Sequence, residues 1–514
     1  MSAWADHVVV APIVLPLACG GLMLLLDERR HAAKGVIGLA TIVAIGLAAA
    51  VLLAQAPVAH IYALGNWPPP FGIVLVADRL AAAMVLLGAV LAFAALAFSL
   101  ARWQRAAPRF DSLVQFLLAG LNGAFLTGDL FNLFVFFELL LASSYGLALH
   151  GAGRMRVRES LHYIVINLVA SLFFLVGVSL LYGVTGTLNM ADIALRIPQV
   201  PAGDRVMVEI GAAVLAMAFL VKAGMWPLGF WLPSTYAAAS PPAAALFTIL
   251  SKVGIYAVLR LWLLLFDAGT GATLLLFGGM ATVAYGMSAM LAAQDIARMA
   301  GASLLVSSGT LLAAIGAHIP AVTGAALYYL VVSTLGAAAL YLLVELIERA
   351  RAPGANVLAV TAEAFGEAAP EGLPQEPEGA AIPATMGVLG LAFACCALLV
   401  AGLPPMPGFL AKFALLSALL APDPVPGTAW ALLALLALSG LAATIAMARA
   451  GVRIFWAARL EPRRIHLAEM GPVAALLALC LALTAAAGPV TDYLHDTARG
   501  LHAPHGYIGK VLSR

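Results

Sequence analysis

The stretch FLVKAGMWPLGFWLP, residues 219–233, sets a lysine, Lys222, inside an apolar run and interrupts the helix with Pro227 five residues later. Proline removes a backbone hydrogen bond, and a cation in an apolar helix is expensive. Both are tolerated at membrane depth only where the broken backbone is enclosed by protein or lines a wet cavity. The stretch therefore points to a membrane protein with a working interior.

Composition supplies the membrane. The chain has 514 residues, 63% of them hydrophobic and 10% charged, with a mean hydropathy of +1.02. Soluble domains carry roughly 25% charged residues. The lipid bilayer is thus the expected surrounding, and a formal net charge of +2 with scattered basic residues argues against nucleic acid as a partner. Cys19, Cys395, Cys396 and Cys480 lie in apolar segments without CxxC spacing and read as packing residues. The tail from Val490, with His495, His502 and His505, has neither a core pattern nor ligand spacing. No metal and no cofactor is expected.

A span needs about 20 mostly apolar residues. Such segments lie near 8–26, 35–55, 77–101, 112–128, 130–150, 161–184, 207–225, 240–265, 271–292, 299–317, 320–347, 386–420, 428–456 and 470–489, which predicts about 14 transmembrane helices in an all-α polytopic membrane protein. Gly128 and Asp129 leave the fourth and fifth joined by a tight turn. Arginines follow spans 1, 3, 5, 9, 11 and 13, as at Arg102, Arg105 and Arg109 or Arg154, Arg156 and Arg158, whereas the other side carries only Arg196 and Arg205 between spans. Positive residues collect in cytoplasmic loops. A multi-pass protein of the bacterial inner membrane with both termini outside the cytoplasm satisfies that rule. Residues 348–383, rich in Pro, Gly and Glu, read as a cytoplasmic linker.

The basic residues are sorted by type. Of 27 only five are lysine, and Lys222, Lys252 and Lys412 fall within spans, deeper than any arginine is expected to lie. Arginine stays protonated, whereas a buried lysine readily changes its proton affinity. Each such lysine costs about 2.5–3.5 kcal/mol at a helix centre, so three together call for a role. Two charges about 10 Å apart at an effective dielectric near 20 couple by about 1.7 kcal/mol, enough for one proton to help expel the next. The matching acid is Glu138 in NLFVFFELLLASSYGLALHG, with Lys222 as its expected partner. Asp78 and Arg79 are expected at the membrane interface, Glu345 in solvent, and His150 at a helix end.

A second interruption, Pro404, Pro405, Pro407 and Gly408, precedes Lys412. Breaks in helices 7 and 12 are five helices apart, an odd offset that reverses orientation. Two inverted five-helix repeats follow, helices 4–8 (112–265) and 9–13 (271–456, including the linker), behind helices 1–3 (1–111) and ahead of helix 14 with the tail (470–514).

FFELLL around Glu138, FLVKAGMWPLGFWLP around Lys222, SPPAAALFTILSKVGIYAVLR around Lys252, DIARMAGASLLVSSG, and LPPMPGFLAKF around Lys412 resemble the proton-translocating antiporter-like subunits shared by respiratory complex I and the multisubunit Mrp-type cation/proton antiporters. The wording of FELLLASSYGLALHG and FWLPSTYAAASPPAAALF is most similar to the D subunit of the Mrp type. The resemblance implies a mid-membrane proton-translocating axis of Glu138, Lys222, Lys252 and Lys412. It also implies partner membrane subunits in a hetero-oligomeric exchanger of Na+ or another monovalent cation for H+, which is not an enzyme. The alternative is a redox-driven proton-pumping subunit of a complex I or hydrogenase-type assembly. Where relatives carry histidines, this chain has Ser307 and Ser333, which hold water but take no proton at neutral pH. A hydrated path lined by Ser307, Ser333, Tyr328 and Tyr329 is the expected substitute between Lys252 and Lys412.

Overall fold

Lipid offers no partner to backbone N–H and C=O groups, so apolar runs that cross it close their own hydrogen bonds as helices. The computed structural model describes residues 7–55, 59–151, 153–266, 271–350, 384–455 and 466–513. Among these, 12 helices are long and apolar enough to span a membrane, and the shorter Ala11–Leu25 and Phe110–Leu126 complete the expected crossings. We number them α1 (Ala11–Leu25), α2 (His31–Gln55), α3 (Arg79–Ala101), α4 (Phe110–Leu126), α5 (Leu130–Ala148), α6 (Arg154–Thr185) and α7 (Arg205–Ala223, continuing as Trp231–Ala238). The series continues with α8 (Pro241–Phe247 and Leu250–Leu265), α9 (Ala272–Ala292), α10 (Ile296–Gly316) and α11 (Pro320–Ala350). It closes with α12 (Ala384–Ala401 and Pro407–Leu419), α13 (Gly427–Phe455) and α14 (Leu467–Ala485). The expected linker lies outside the described residues beyond Ala350.

Burial separates core helices from a lipid-facing shell. The apolar windows of α8, α10 and α11 are 100%, 94% and 83% buried, against 39% for α6 and 33% for α9. On α6 the exposed residues Leu161, Val165, Leu168, Leu172 and Val176 recur at helical spacing, an apolar stripe suited to acyl chains. Lys252, on α8, can therefore be reached only through protein.

Both predicted interruptions are present and built alike. α7 stops at Gly224 (φ 76°) and the first half of α12 at Gly402 (φ 75°), both left-handed, a conformation that glycine adopts without penalty. In each, the next N–H reaches back five residues, Met225 to the Leu220 carbonyl at 3.0 Å and Leu403 to the Leu398 carbonyl at 2.9 Å. The structure adds a third break that the sequence does not announce. α8 is interrupted at Thr248–Ile249, just before Lys252, where the helical ladder lapses without proline or glycine.

One end of the bundle is tied together by backbone. A hairpin of β1 (His60–Ala63) and β2 (Val74–Ala77), antiparallel with His60 opposite Ala77, sits between α2 and α3. The Gly128 N–H donates to the Val74 carbonyl at 2.9 Å, and the Met190 N–H to the Gly128 carbonyl at 2.9 Å. Asp129 caps α5, accepting from the Asn132 N–H at 2.8 Å, which fixes the tight turn expected there. The tail departs from expectation. It forms two further helices, α15 (Ala487–His502) and α16 (His505–Leu512), which bury Leu494, Ala498, Ile508 and Val511 against this hairpin end. Arg79 pairs with Asp496 at 3.1 Å, and His502 Nε2 meets Thr323 Oγ1 at 3.0 Å. Burial and the neighbouring His318 ring lower the His502 pKa to about 4, so this histidine serves the packing as a neutral ring.

Candidate functional site: a buried lysine axis

Lys222 occupies the last turn of the first half of α7, where a cation complements the free carbonyls of a helix C-terminus. It is 4% exposed, and its Nζ lies 5.0 Å from the centroid of the Phe137 ring, a cation–π contact. Glu138 is the next residue on α5. The ion pair expected between them is not formed: Glu138 Oε1 and Lys222 Nζ are both buried without a hydrogen-bond partner. The carboxylate and the amine are neighbours held apart, and the aromatic face takes the place of the oxygen.

Helix α8 comes next to Lys222 because Gly254 carries no side chain. A Cβ there would stand 2.8 Å from the Ala223 nitrogen and 3.1 Å from the Lys222 carbonyl carbon, so only glycine allows this approach. Two residues earlier, Lys252 is 0% exposed and donates from Nζ to Ser307 Oγ at 2.8 Å. Ser307 Oγ and Ser333 Oγ are in turn 2.8 Å apart. The two serines expected to line a water path thus touch the lysine and one another directly, on α10 and α11.

Beyond Ser333 a cavity of about 30 Å³ is lined by Tyr329, Ser333, Ser439 and Lys412 among others. That is room for about one water. Lys412, on the second half of α12, donates to the Ala401 carbonyl at 2.9 Å and so caps the first half of its own broken helix. Its side chain lies where a Cβ on Gly402 would stand, with Cδ 2.7 Å from that position. Of the expected lining residues, Tyr328 turns elsewhere, donating to the Leu483 carbonyl of α14 at 3.0 Å. Ser439, 2% exposed on α13, takes a place in the lining that sequence reasoning missed. Its surroundings are apolar and offered no signal.

Further polar groups were also missed. Tyr145, two turns beyond Glu138 on the same face of α5, has a buried hydroxyl without a partner, with the Tyr163 ring 5.5 Å away. Tyr163 Oη meets Ser144 Oγ at 2.8 Å. Arg260, eight residues beyond Lys252 and near the end of α8, is a buried arginine that the sequence did not single out. It is 6% exposed on α8 and ion-paired to Asp78, which is therefore more than an interfacial residue. Glu345 is not solvated either: it pairs with Arg349 at 3.3 Å, and Arg349 with Glu469 at 2.8 Å. His150 is buried against Phe110, its Nε2 3.0 Å from the Trp103 carbonyl, and burial lowers its pKa.

Residues 127–441 match the family described as NADH:quinone oxidoreductase/Mrp antiporter, TM. A protein of Rhizobium meliloti, named as the D subunit of a probable K+/H+ antiporter, is 52% identical, covering 100% of this chain and 99% of its own. The D subunit of the Na+/H+ antiporter of Bacillus subtilis is 34% identical, with 99% of both chains covered. Among solved structures, a chain of the Mrp complex from Dietzia sp. DQ12-45-1b superposes with a TM-score of 0.85 at 24% identity, covering 99% of this chain and 100% of that one.

Proposed function

Because the chain belongs to the NADH:quinone oxidoreductase/Mrp antiporter membrane family, on its antiporter D-subunit branch, we propose that it moves protons along a lysine axis at mid-membrane. The protein is a subunit of a multisubunit monovalent cation/proton antiporter and a transporter rather than an enzyme. In the proposed cycle Glu138 governs Lys222. A carboxylate moving toward the amine holds its proton there, and one moving away lets it go. Tyr145, Tyr163 and Ser144 would load protons from the arginine-rich end, which we assign to the cytoplasm of a bacterial cell.

Lys252 then relays through Ser307 and Ser333 to the cavity at Lys412. The single observation that carries the reading is the contact of Lys252 with Ser307 and of Ser307 with Ser333, each at 2.8 Å, ending on a cavity that Lys412 lines. A serine hydroxyl donates and accepts, so it can pass a proton on without keeping one. The two five-helix stretches, 112–265 and 271–456, act in this proposal as inverted halves, each contributing one broken helix and its lysine. Neighbouring membrane subunits complete the path, and the exchanged cation is Na+ or K+.

The test is exchange by the whole complex. Vesicles containing all subunits and a preset pH gradient are expected to lose that gradient on addition of Na+ or K+, and complexes with Lys412→Ala are expected to lose the response to both. A native response in Lys412→Ala would remove Lys412 from the path.

A further inference from the structure

The second half of α8 carries three long polar side chains in an otherwise apolar helix, Lys252, Tyr256 and Arg260, spaced by four residues. Four-residue spacing stacks side chains along one face. The Tyr256 hydroxyl donates to the Phe125 carbonyl at 2.5 Å and accepts from Arg260 Nη2 at 3.3 Å. Arg260 then pairs with Asp78, whose other oxygen accepts the Ala81 N–H at 2.9 Å and caps α3. This polar file runs from mid-membrane Lys252 toward the hairpin end, about 12 Å along the helix axis.

At that end the file meets a cavity of about 380 Å³. Asp78 and Arg260 line it together with Arg79, Asp496, Arg499 and Lys510, the last three from the tail helices. The Arg260 guanidinium lies 5.7 Å from the Tyr256 ring centroid and 5.2 Å from that of Tyr507. Arg260 Nε and the Tyr507 hydroxyl are buried there without hydrogen-bond partners. Burial pushes the Tyr507 hydroxyl up to about 12, so it stays protonated.

Arginine holds its proton permanently and repels other cations, and a fixed guanidinium at a constriction is a barrier to protons. A barrier set between a cavity that carries charged side chains in its wall and a relay lysine has the form of a gate. We propose that the cavity is an access route from the hairpin end to Lys252 and that the Asp78–Arg260 ion pair is its gate, shut in the observed arrangement. The inference rests on the proposed relay role of Lys252. Losing the Asp78 charge frees Arg260 to move into the cavity and exposes Tyr256 to water.

Cysteine accessibility in the assembled complex tests this, in a chain whose Cys19, Cys395, Cys396 and Cys480 are replaced by serine. A membrane-impermeant thiol reagent applied to each side in turn should label Leu264→Cys, in the cavity wall, from the hairpin side only. Tyr256→Cys should stay unlabelled with Asp78 present and react at least tenfold faster with Asp78→Asn. A preset pH gradient should also decay faster through Asp78→Asn without added cation, and the exchange Asp78→Arg with Arg260→Asp should restore tightness. Tyr256→Cys reacting as fast as Leu264→Cys beside native Asp78 would overturn the gate, a comparison that stands even if Asp78→Asn fails to assemble. Unchanged labelling in Asp78→Asn would overturn it equally. Labelling reports water access alone, so it reads the gate whether or not Lys252 carries protons.

Discussion

In vesicles carrying the assembled antiporter, Lys222→Arg is expected to cut cation-driven proton flux by roughly a hundredfold or more, the size of effect that losing a proton-transferring side chain produces. The substitution keeps the positive charge and its attraction to Glu138 and to the Phe137 ring. It removes only the ability to let the proton go. A structural cation would tolerate the change, because arginine also stacks on aromatic faces. Subunit co-purification separates lost transport from lost assembly. Native flux in an assembled Lys222→Arg complex would show that Lys222 holds helices together and nothing more.

The second large effect is expected at Ser307. Its oxygen is the acceptor for the Lys252 amine, which is 0% exposed, and its contact with Ser333 is the bridge toward Lys412. Ser307→Val fills the space with methyl groups and leaves the amine without that acceptor, a penalty of about 1–3 kcal/mol for a buried group and more for a charged one. Flux should fall by about fivefold to a hundredfold, since about 1.36 kcal/mol is a factor of ten in rate. Ser307→Thr keeps a hydroxyl on the same carbon and should retain most of it. The pair of variants separates proton passage from packing, since valine and threonine share shape and differ in the hydroxyl. Equal flux in the two would place the path elsewhere.

The crossings and the sorted lysines are legible in the sequence because each rests on a strong local signal. A run of apolar residues, a proline in mid-span and a lysine where lipid forbids one are visible without a partner segment. What stays hidden depends on which segments meet. The hairpin at His60–Ala77 has strands of four residues, too short for an alternating pattern to stand out. The break in α8 lacks the glycine and proline that mark the other two, and its β-branched Thr248 and Ile249 lower helix propensity only slightly. Arg260 escapes notice because it lies near a helix end, where arginine commonly reaches the headgroups, and its partner Asp78 is 182 residues away. The tail reads as patternless because its apolar residues are few, but they are spaced to cover one face, which becomes evident only with α11 beneath α15 and the short helix Met190–Arg196 beneath α16.

The same reasoning explains why sequence favours a Glu138–Lys222 pair that the structure leaves open. Opposite charges buried in two different membrane segments argue for proximity, and proximity is what the structure has. Whether they touch depends on Phe137, whose ring receives the amine, and no spacing rule reads that out.

The central claim is that the buried amines themselves take up and release protons during exchange. The most direct measurement follows protons rather than transport: the detergent-solubilised complex is mixed with Na+ or K+ in weak buffer, and proton release is read with a pH dye. The native complex is expected to release protons on mixing, and a complex with Lys222, Lys252 and Lys412 all replaced by arginine is expected to release none. Release of the same size from the arginine complex would contradict the account.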